Sequence, residues 1–298
     1  MHIGFIGLGL MGSSIAERLI GPDITLHVYD PDPRGMARLV DKGAIGRLSA
    51  SEVADIASVV FACLPNSKVS LETAKQVAKG KAVTHYVETS TIGRECIESI
   101  VGELTSAAIK VIDAPISGGP KGARKGALSV MVAGQSQAVN HVRPLLEKFG
   151  SQIFIVHESP GRAQVMKLVN NLISAAIMIS TYESLVLGAR AGLDPDLMVS
   201  VLNASSARNS ATLQKVPDAI LTGSFDFGAS VRTITKDVEL GIEEAKTSQV
   251  PLWLGSSVLQ VWRFAMTQGI AEDDYTSVIK FMEKWAGVEV RSRKEADI

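Results

Sequence analysis

Cysteine is scarce: Cys63 and Cys96 are the only two in a chain of 298 residues. Their spacing matches no metal-ligand motif, and two are too few for a disulfide framework in a chain of this length. Reduced thiols in a cytoplasmic protein are the expectation. Charge of either sign is also not in excess. Lys and Arg total 30 against 31 Asp and Glu, a formal net charge of −1. That balance offers no electrostatic footprint for nucleic acid or an anionic membrane surface. Long apolar runs are missing as well. The most apolar later stretch, Leu172 to Tyr182, is eleven residues, too short to span a bilayer. No basic-then-apolar leader precedes the strand-like run His2-Ile3-Gly4-Phe5-Ile6, so no signal peptide is expected. There is no internal repeat and no low-complexity segment. What remains is 46% hydrophobic and 20% charged, a globular composition with enough chain for two domains.

The first half alternates β-branched runs with amphipathic segments. Strands are expected at Ile3–Gly7, Thr25–Tyr29, Val59–Leu64, Val83–Glu88, Lys110–Ala114, Leu128–Val132 and Gln152–Val156. Helices are expected at Gly12–Ile20, Pro33–Lys42, Val69–Ala78, Arg94–Ala108 and Gln137–Phe149. This alternation predicts an α/β fold with a Rossmann-like, doubly wound and mostly parallel sheet. After His157 the pattern changes. Met166, Val169, Leu172, Ile173, Ala176 and Ile177 recur at helical spacing, and Gly192 and Pro195 end the run. One long helix over Gly161–Ala191 is expected, then shorter ones at Asp196–Ala204, Ile234–Ser248, Trp253–Gln268 and Tyr275–Ala286, with no further strand. The boundary falls near 157–161, giving a sheet domain over 1–158 and an all-helical domain over 159–298. The polar tail Ser292–Ile298 is expected to fray.

Gly7-Leu8-Gly9-Leu10-Met11-Gly12 reads G-x-G-x-x-G between an expected strand and an expected helix. In this context Gly7 permits the tight turn, Gly9 lets a pyrophosphate approach the backbone, and Gly12 lets helix pack on strand. The free N–H groups of the helix start would meet the phosphates. Asp30 ends the second strand, eighteen residues after Gly12. An acid there can accept hydrogen bonds from the ribose hydroxyls of NAD and would repel the 2′-phosphate of NADP. Arg34 nearby can accommodate that phosphate, so NADP stays open.

Two further groups carry chemistry. Ser117, Gly118 and Gly119 follow a strand within Asp113-Ala114-Pro115-Ile116-Ser117-Gly118-Gly119-Pro120. They could form an anion-binding nest for a carboxylate; taken alone, a structural turn fits equally well. Lys167, Asn170 and Asn171 sit among apolar neighbours at spacings that share one face of the long helix. Two asparagines are costly in an apolar helix unless they have partners.

Together these segments resemble the β-hydroxyacid dehydrogenase family. The resemblance spans nearly the whole chain, through Gly7–Gly12, Asp113–Gly119, Gly161–Asn171 and Lys236-Asp237-Val238-Glu239-Leu240, in that order. It implies that Lys167 is the catalytic acid/base, that Ser117, Gly118 and Gly119 bind the substrate carboxylate, and that Asn171, with Asn170 beside it, orients the substrate. It also implies that Leu64, Pro65 and Thr91 line the cofactor and that Lys236 reaches it from the helical domain. A homodimer or homotetramer, built in part by the long helix, is implied too. The chain departs from the family pattern twice. Ala163 stands where a second glycine is usual before the lysine, and Val69 stands where an asparagine often follows the Leu-Pro pair.

These readings lead to an expected activity: reversible hydride transfer between NAD(P) and a small 3-hydroxy acid or its semialdehyde, with no metal. A free lysine titrates near 10.4, so desolvation in a closed cleft would have to lower Lys167 for it to serve as base. An imine reductase and a non-catalytic dinucleotide-binding scaffold are the alternatives; Lys167 argues against both. The group at the far end of the substrate is not readable.

Overall fold

The computed structural model describes residues 1–292. The fraying expected of the tail lies outside the described residues except at Ser292. That residue is held by its N–H on the Leu221 carbonyl and its hydroxyl on Asp196. The chain divides into two compact units, Met1–Leu168 and Val169–Ile298.

The first unit is the expected α/β body. Its strands are β1 (His2–Ile6), β2 (Thr25–Tyr29), β3 (Ile45–Gly46), β4 (Val59–Ala62), β5 (His85–Glu88), β6 (Lys110–Asp113), β7 (Ile116–Ser117), β8 (Leu128–Ala133) and β9 (Gly150–His157). The helices between them are α1 (Leu10–Leu19), α2 (Pro33–Val40), α3 (Ala50–Ala54), α4 (Ser67–Val77), α5 (Arg94–Thr105), α6 (Gly119–Arg124) and α7 (Ser136–Leu146). The sheet runs β3-β2-β1-β4-β5-β6-β8-β7, with β9 also paired to β8. The six strands β3 to β6 in that order are parallel, the strand order of a Rossmann sheet. β6 meets β8 antiparallel at Asp113 and Ala133.

Burial follows from that topology. All four residues of β4 are completely buried, as a central parallel strand covered on both faces requires. Alternate residues feed two separate cores. Ile3, Phe5, Val59 and Phe61 pack on one face with α1 and α7. Ile6, Val60, Ala62 and Tyr86 pack on the other with α4 and α5. The order reverses between β1 and β4, the topological switch point where open α/β sheets hold their ligands.

In the long helix α8 (Arg162–Arg190), residues up to Leu168 belong to the first unit and the rest to the second. α8 stops at Gly192, which adopts φ +89°. By length and apolar composition alone α8 could cross a membrane, although the charge-free run within it suggested otherwise. Met178, Tyr182 and Leu185 on it are nevertheless buried in the helical core. The remaining helices are α9 (Pro195–Ala204), α10 (Val231–Thr247), α11 (Trp253–Thr267) and α12 (Ile279–Ala286). Among the described residues of this unit no strand occurs, only an isolated bridge between Ser230 and Asp274. Asp194 caps α9 through the Leu197 N–H, and Ser230 caps α10 through the Thr233 N–H.

The short elements β3, β7, α3 and α6 escape a reading by period, which needs more residues than they contain. A π-helical turn at Ala211–Ile220 was also unforeseen. Pro217 inside it lacks a donor, which masks the helical signal. The single helix expected at Tyr275–Ala286 begins as a 3₁₀ turn at Tyr275–Val278.

Candidate active site

The glycine-rich turn lies at the C-terminal end of β1. Gly7 has φ +90°, and a Cβ there would lie 2.3 Å from the Cys63 carbonyl oxygen. A Cβ on Gly12 would lie 1.9 Å from the Gly7 carbonyl oxygen, so the closure of the turn onto α1 depends on both hydrogens. Gly9 is different: nothing stands within 4 Å of where its Cβ would be. It precedes α1 with no side-chain cap, so the first-turn N–H groups point to an open face. Leu8 is buried, whereas Leu10 is exposed and Met11 half-buried. This is a cradle for a phosphate group, and a dinucleotide pyrophosphate fits it.

Asp30 is tied into the same turn. One carboxylate oxygen accepts the Leu8 N–H at 2.6 Å and the other the Asp32 N–H at 2.8 Å. Each oxygen keeps acceptor capacity for a ribose hydroxyl. Arg34 is engaged elsewhere, donating to both oxygens of Asp32 at 2.8 to 3.1 Å.

A buried polar network occupies the ends of β4, β5 and β6. Asp113 is fully buried and accepts the Gly161 N–H at 2.8 Å, the Gln164 N–H at 3.1 Å and Gln164 Nε2 at 2.8 Å. A carboxylate from β6 thus caps the start of α8, where the helix field favours negative charge. Gln164 is also fully buried and uses its whole amide. Its oxygen accepts the Ile92 and Gly93 N–H groups, and its nitrogen donates to Asp113 and to the Ser90 carbonyl. The network continues to Leu64, whose N–H donates to Ser90 Oγ at 2.6 Å. Leu64 and Thr91, the expected cofactor-lining residues, therefore flank segments fixed to the first turn of α8. Pro65 is exposed beside Leu64. Lys167 follows Gln164 by one helical turn and is only 8% exposed.

Ser117 ends β7, Gly119 opens α6 and Gly118 joins them. Gly118 and Gly119 both have positive φ and are exposed, and nothing is within 4 Å of a Cβ on Gly119. In the second unit, Asn170 Nδ2 donates to Asn171 Oδ1, and Asn171 Nδ2 donates to Asp237 Oδ2 at 2.6 Å. Lys236 Nζ lies 2.8 Å from Asp237 Oδ1. The cost of two asparagines in an apolar helix is met by this chain.

Asp113, Gln164, Glu88 and Asp237 are the residues that a reading of motifs does not single out. Asp113, Gln164 and Asp237 take partners far apart in sequence, whereas Glu88 is buried with Tyr86 and Ser90 beside it; Asp113 and Asp237 each sit inside a motif that could have flagged them. The departure at Ala163 is accommodated: its methyl is fully buried against Met131, Ala133 and Val156. Val69 lies on the first turn of α4, its N–H capped by Asn66. Burial pushes the thiols of Cys63 and Cys96 up to about 12 and about 11, which leaves both unreactive.

Burial likewise pushes Asp113 up to about 6, against the bonds from Gln164 and Gly161, and Glu88 up to about 7, against those from Ser90 and Tyr86. An acid raised on folding makes the native state bind more protons than the unfolded state between the two pKa values, so its contribution to stability falls as pH rises through that window. Glu88→Gln removes this dependence. Urea denaturation from pH 4 to pH 8 should show the wild type losing on the order of 3 kcal/mol relative to this variant between the ordinary carboxylate range and about 7. A constant difference across the range contradicts the assignment.

A family model described as the NAD binding domain of 6-phosphogluconate dehydrogenase matches residues 2–157. One described as NAD-binding of NADP-dependent 3-hydroxyisobutyrate dehydrogenase matches residues 161–282. The 2-(hydroxymethyl)glutarate dehydrogenase of Eubacterium barkeri is 32% identical, over 97% of this chain and 97% of that protein. An NAD-dependent L-serine dehydrogenase of Pseudomonas aeruginosa is 32% identical, over 96% and 99%. The structure of 3-hydroxyisobutyrate dehydrogenase from Mycobacterium tuberculosis with L-serine superposes with a TM-score of 0.85 at 26% identity, covering 94% of this chain and 98% of that one. The chain belongs to the β-hydroxyacid dehydrogenase family, and is an oxidoreductase that transfers a hydride between a nicotinamide dinucleotide and a small hydroxy acid.

Proposed function

We propose that this chain is an NAD-preferring dehydrogenase of 2-substituted 3-hydroxypropanoates, with Lys167 as the general acid/base. The observation that carries this reading is the buried Lys167 one turn beyond the Asp113–Gln164 anchor. Substrate chemistry supports the class. The relatives are named for 2-(hydroxymethyl)glutarate, 3-hydroxyisobutyrate and L-serine, each a hydroxymethyl group on a carbon that bears a carboxylate. They differ only in the second substituent.

In the oxidative direction Lys167 Nζ takes the hydroxyl proton as the C–H bond breaks, and in reduction it returns a proton to the forming alkoxide. The cofactor, when bound, supplies the hydride acceptor or donor. The Ser117 hydroxyl and the backbone of Gly118 and Gly119 hold the substrate carboxylate. Asn170 and Asn171, set by Asp237, orient the substrate, and Lys236 reaches the cofactor. The preference for NAD rests on Asp30, whose remaining acceptors suit ribose hydroxyls, and on Arg34, whose fork is already occupied by Asp32.

The second unit exposes large apolar residues, among them Leu187 at 71% and Trp285 at 69%. These two also line a cavity of about 660 Å³ with Val186, Phe264 and Met282. Such a surface supports self-association as a homodimer or homotetramer. Light scattering after gel filtration should give two or four times the chain mass of 31.6 kDa; a monomer at micromolar concentration contradicts this.

Lys167→Ala should lose turnover by about 10²–10⁴-fold while still binding NADH, followed by its fluorescence. Wild-type oxidation of 3-hydroxyisobutyrate, L-serine and 2-(hydroxymethyl)glutarate should be faster with NAD than with NADP. Near wild-type turnover in the variant removes Lys167 from the chemistry, and a preference for NADP removes the role given to Asp30.

A further inference from the structure

The first unit holds a cavity of about 390 Å³ that no residue assigned above lines; its walls are Ser14, Glu17, Arg18, Ile20, Arg124 and Lys148. Its size lies within the range of small-molecule sites, about 300–1,000 Å³. Three of these six residues are cations, and all three are exposed. Among the described residues no carboxylate pairs with Arg18, Arg124 or Lys148 at salt-bridge distance. The one acid in the wall, Glu17, is taken by Lys42 and by Arg38 at 3.3 Å. The Lys42 ammonium, with Arg38 and Arg124 near it, holds the Glu17 carboxyl below its ordinary pKa. Five cations thus gather around one carboxylate in a chain whose net charge is −1. The cluster is also held in place. Arg18 Nε donates to the Lys148 carbonyl at 3.0 Å, so the side chain is anchored while its two terminal nitrogens stay available as donors. Gly126, at φ +66°, lets the guanidinium lie against the backbone: a Cβ there would be 2.9 Å from Arg18 Nη2. Arg18 and Arg124 sit in the last turns of α1 and α6, and Lys148 just beyond α7. A cation at each helix end complements the helix field, but that does not require the three to share a cavity.

We infer that Arg18, Arg124 and Lys148 form a phosphate-binding site, and that its ligand is a small molecule with a multiply charged phosphate group, a pyrophosphate or a phosphate monoester. The guanidinium fork matches phosphate oxygens, and three cations without a counter-charge match a group that carries more than one negative charge. A cavity, as opposed to a ridge or a stripe, selects a small molecule over a polymer. The site does not rest on the hydroxy-acid reading, and it shares no residue with the cradle at Gly9.

The test is calorimetric titration of inorganic pyrophosphate into the full chain, with NADH in excess so that the Gly9 cradle is filled. The wild type should bind pyrophosphate saturably. Arg124→Ala and Lys148→Ala, both at exposed positions, should each weaken binding by about fivefold, and the double variant by at least about twentyfold. Lys75→Ala, which removes an exposed cation on α4, should leave it within about twofold. The double variant should keep the wild-type affinity for NADH, and acetate, with its single charge, should not compete at the concentration of pyrophosphate used. No saturable binding by the wild type, an unchanged affinity in the double variant, or an equal loss in Lys75→Ala overturns the site. Loss of NADH affinity in the double variant assigns the cations to the cofactor and overturns it as well. Citrate binding more tightly than pyrophosphate overturns the phosphate class. In a protein that binds no NADH the same variants decide, because the Gly9 cradle contains none of the three cations.

Discussion

The buried contact between Asp113 and Gln164 is the constraint on which the rest of the first unit's site depends. Gln164 spends all four of its hydrogen-bonding positions, on Asp113, Ser90, Ile92 and Gly93. Asp113 spends its acceptors on Gln164 and the backbone that opens α8. Both are fully buried, so any unpaired atom would carry a desolvation penalty of about 1–3 kcal/mol. The consequence is positional. The end of β5, the end of β6 and the first turn of α8 are held to one another, and Lys167 follows one turn later. A flexible, long side chain placed for proton transfer needs such a fixed base.

The cofactor side follows the opposite principle. There the start of α1 is left without a side-chain cap. Gly9 caps α1 with no side chain and stands in open space, while Gly7 and Gly12 are packed against carbonyl oxygens. Two glycines therefore build the turn and the third exposes it. Asp30 serves both ends of this arrangement, since it pins Leu8 from below and retains acceptors toward a ribose. The same side chain fixes the loop and, in the proposed NAD-preferring enzyme, meets the ribose, so its substitution would affect stability and cofactor binding together.

Much of this was legible in the sequence, for identifiable reasons. The six parallel strands β1 to β6 are β-branched runs separated by amphipathic helices, with only the two-residue β3 too short to register. The fingerprint glycines announce themselves because each has a local geometric duty. Lys167, Asn170 and Asn171 stand out as polar residues in an apolar helix. Less legible were residues whose partners are remote. Gln164 reads as an unremarkable helical residue until Ser90 and Asp113 are brought to it from 74 and 51 positions away. Glu88 looks like the end of a strand, and nothing local shows that it is buried. The alanine at 163 reads as a departure, yet its methyl faces the sheet and fills space in the core.

The central claim is that the Asp113–Gln164 contact places Lys167, the proposed proton-transfer group, beyond holding the fold. Gln164→Leu, similar in size and unable to make any of the four bonds, tests it most directly. Steady-state kinetics on the folded fraction, with NADH binding measured in parallel, should show kcat lowered by about tenfold or more in a protein that still binds the cofactor. A variant with lowered thermal stability but an unchanged kcat would contradict the account and leave Gln164 a purely structural residue.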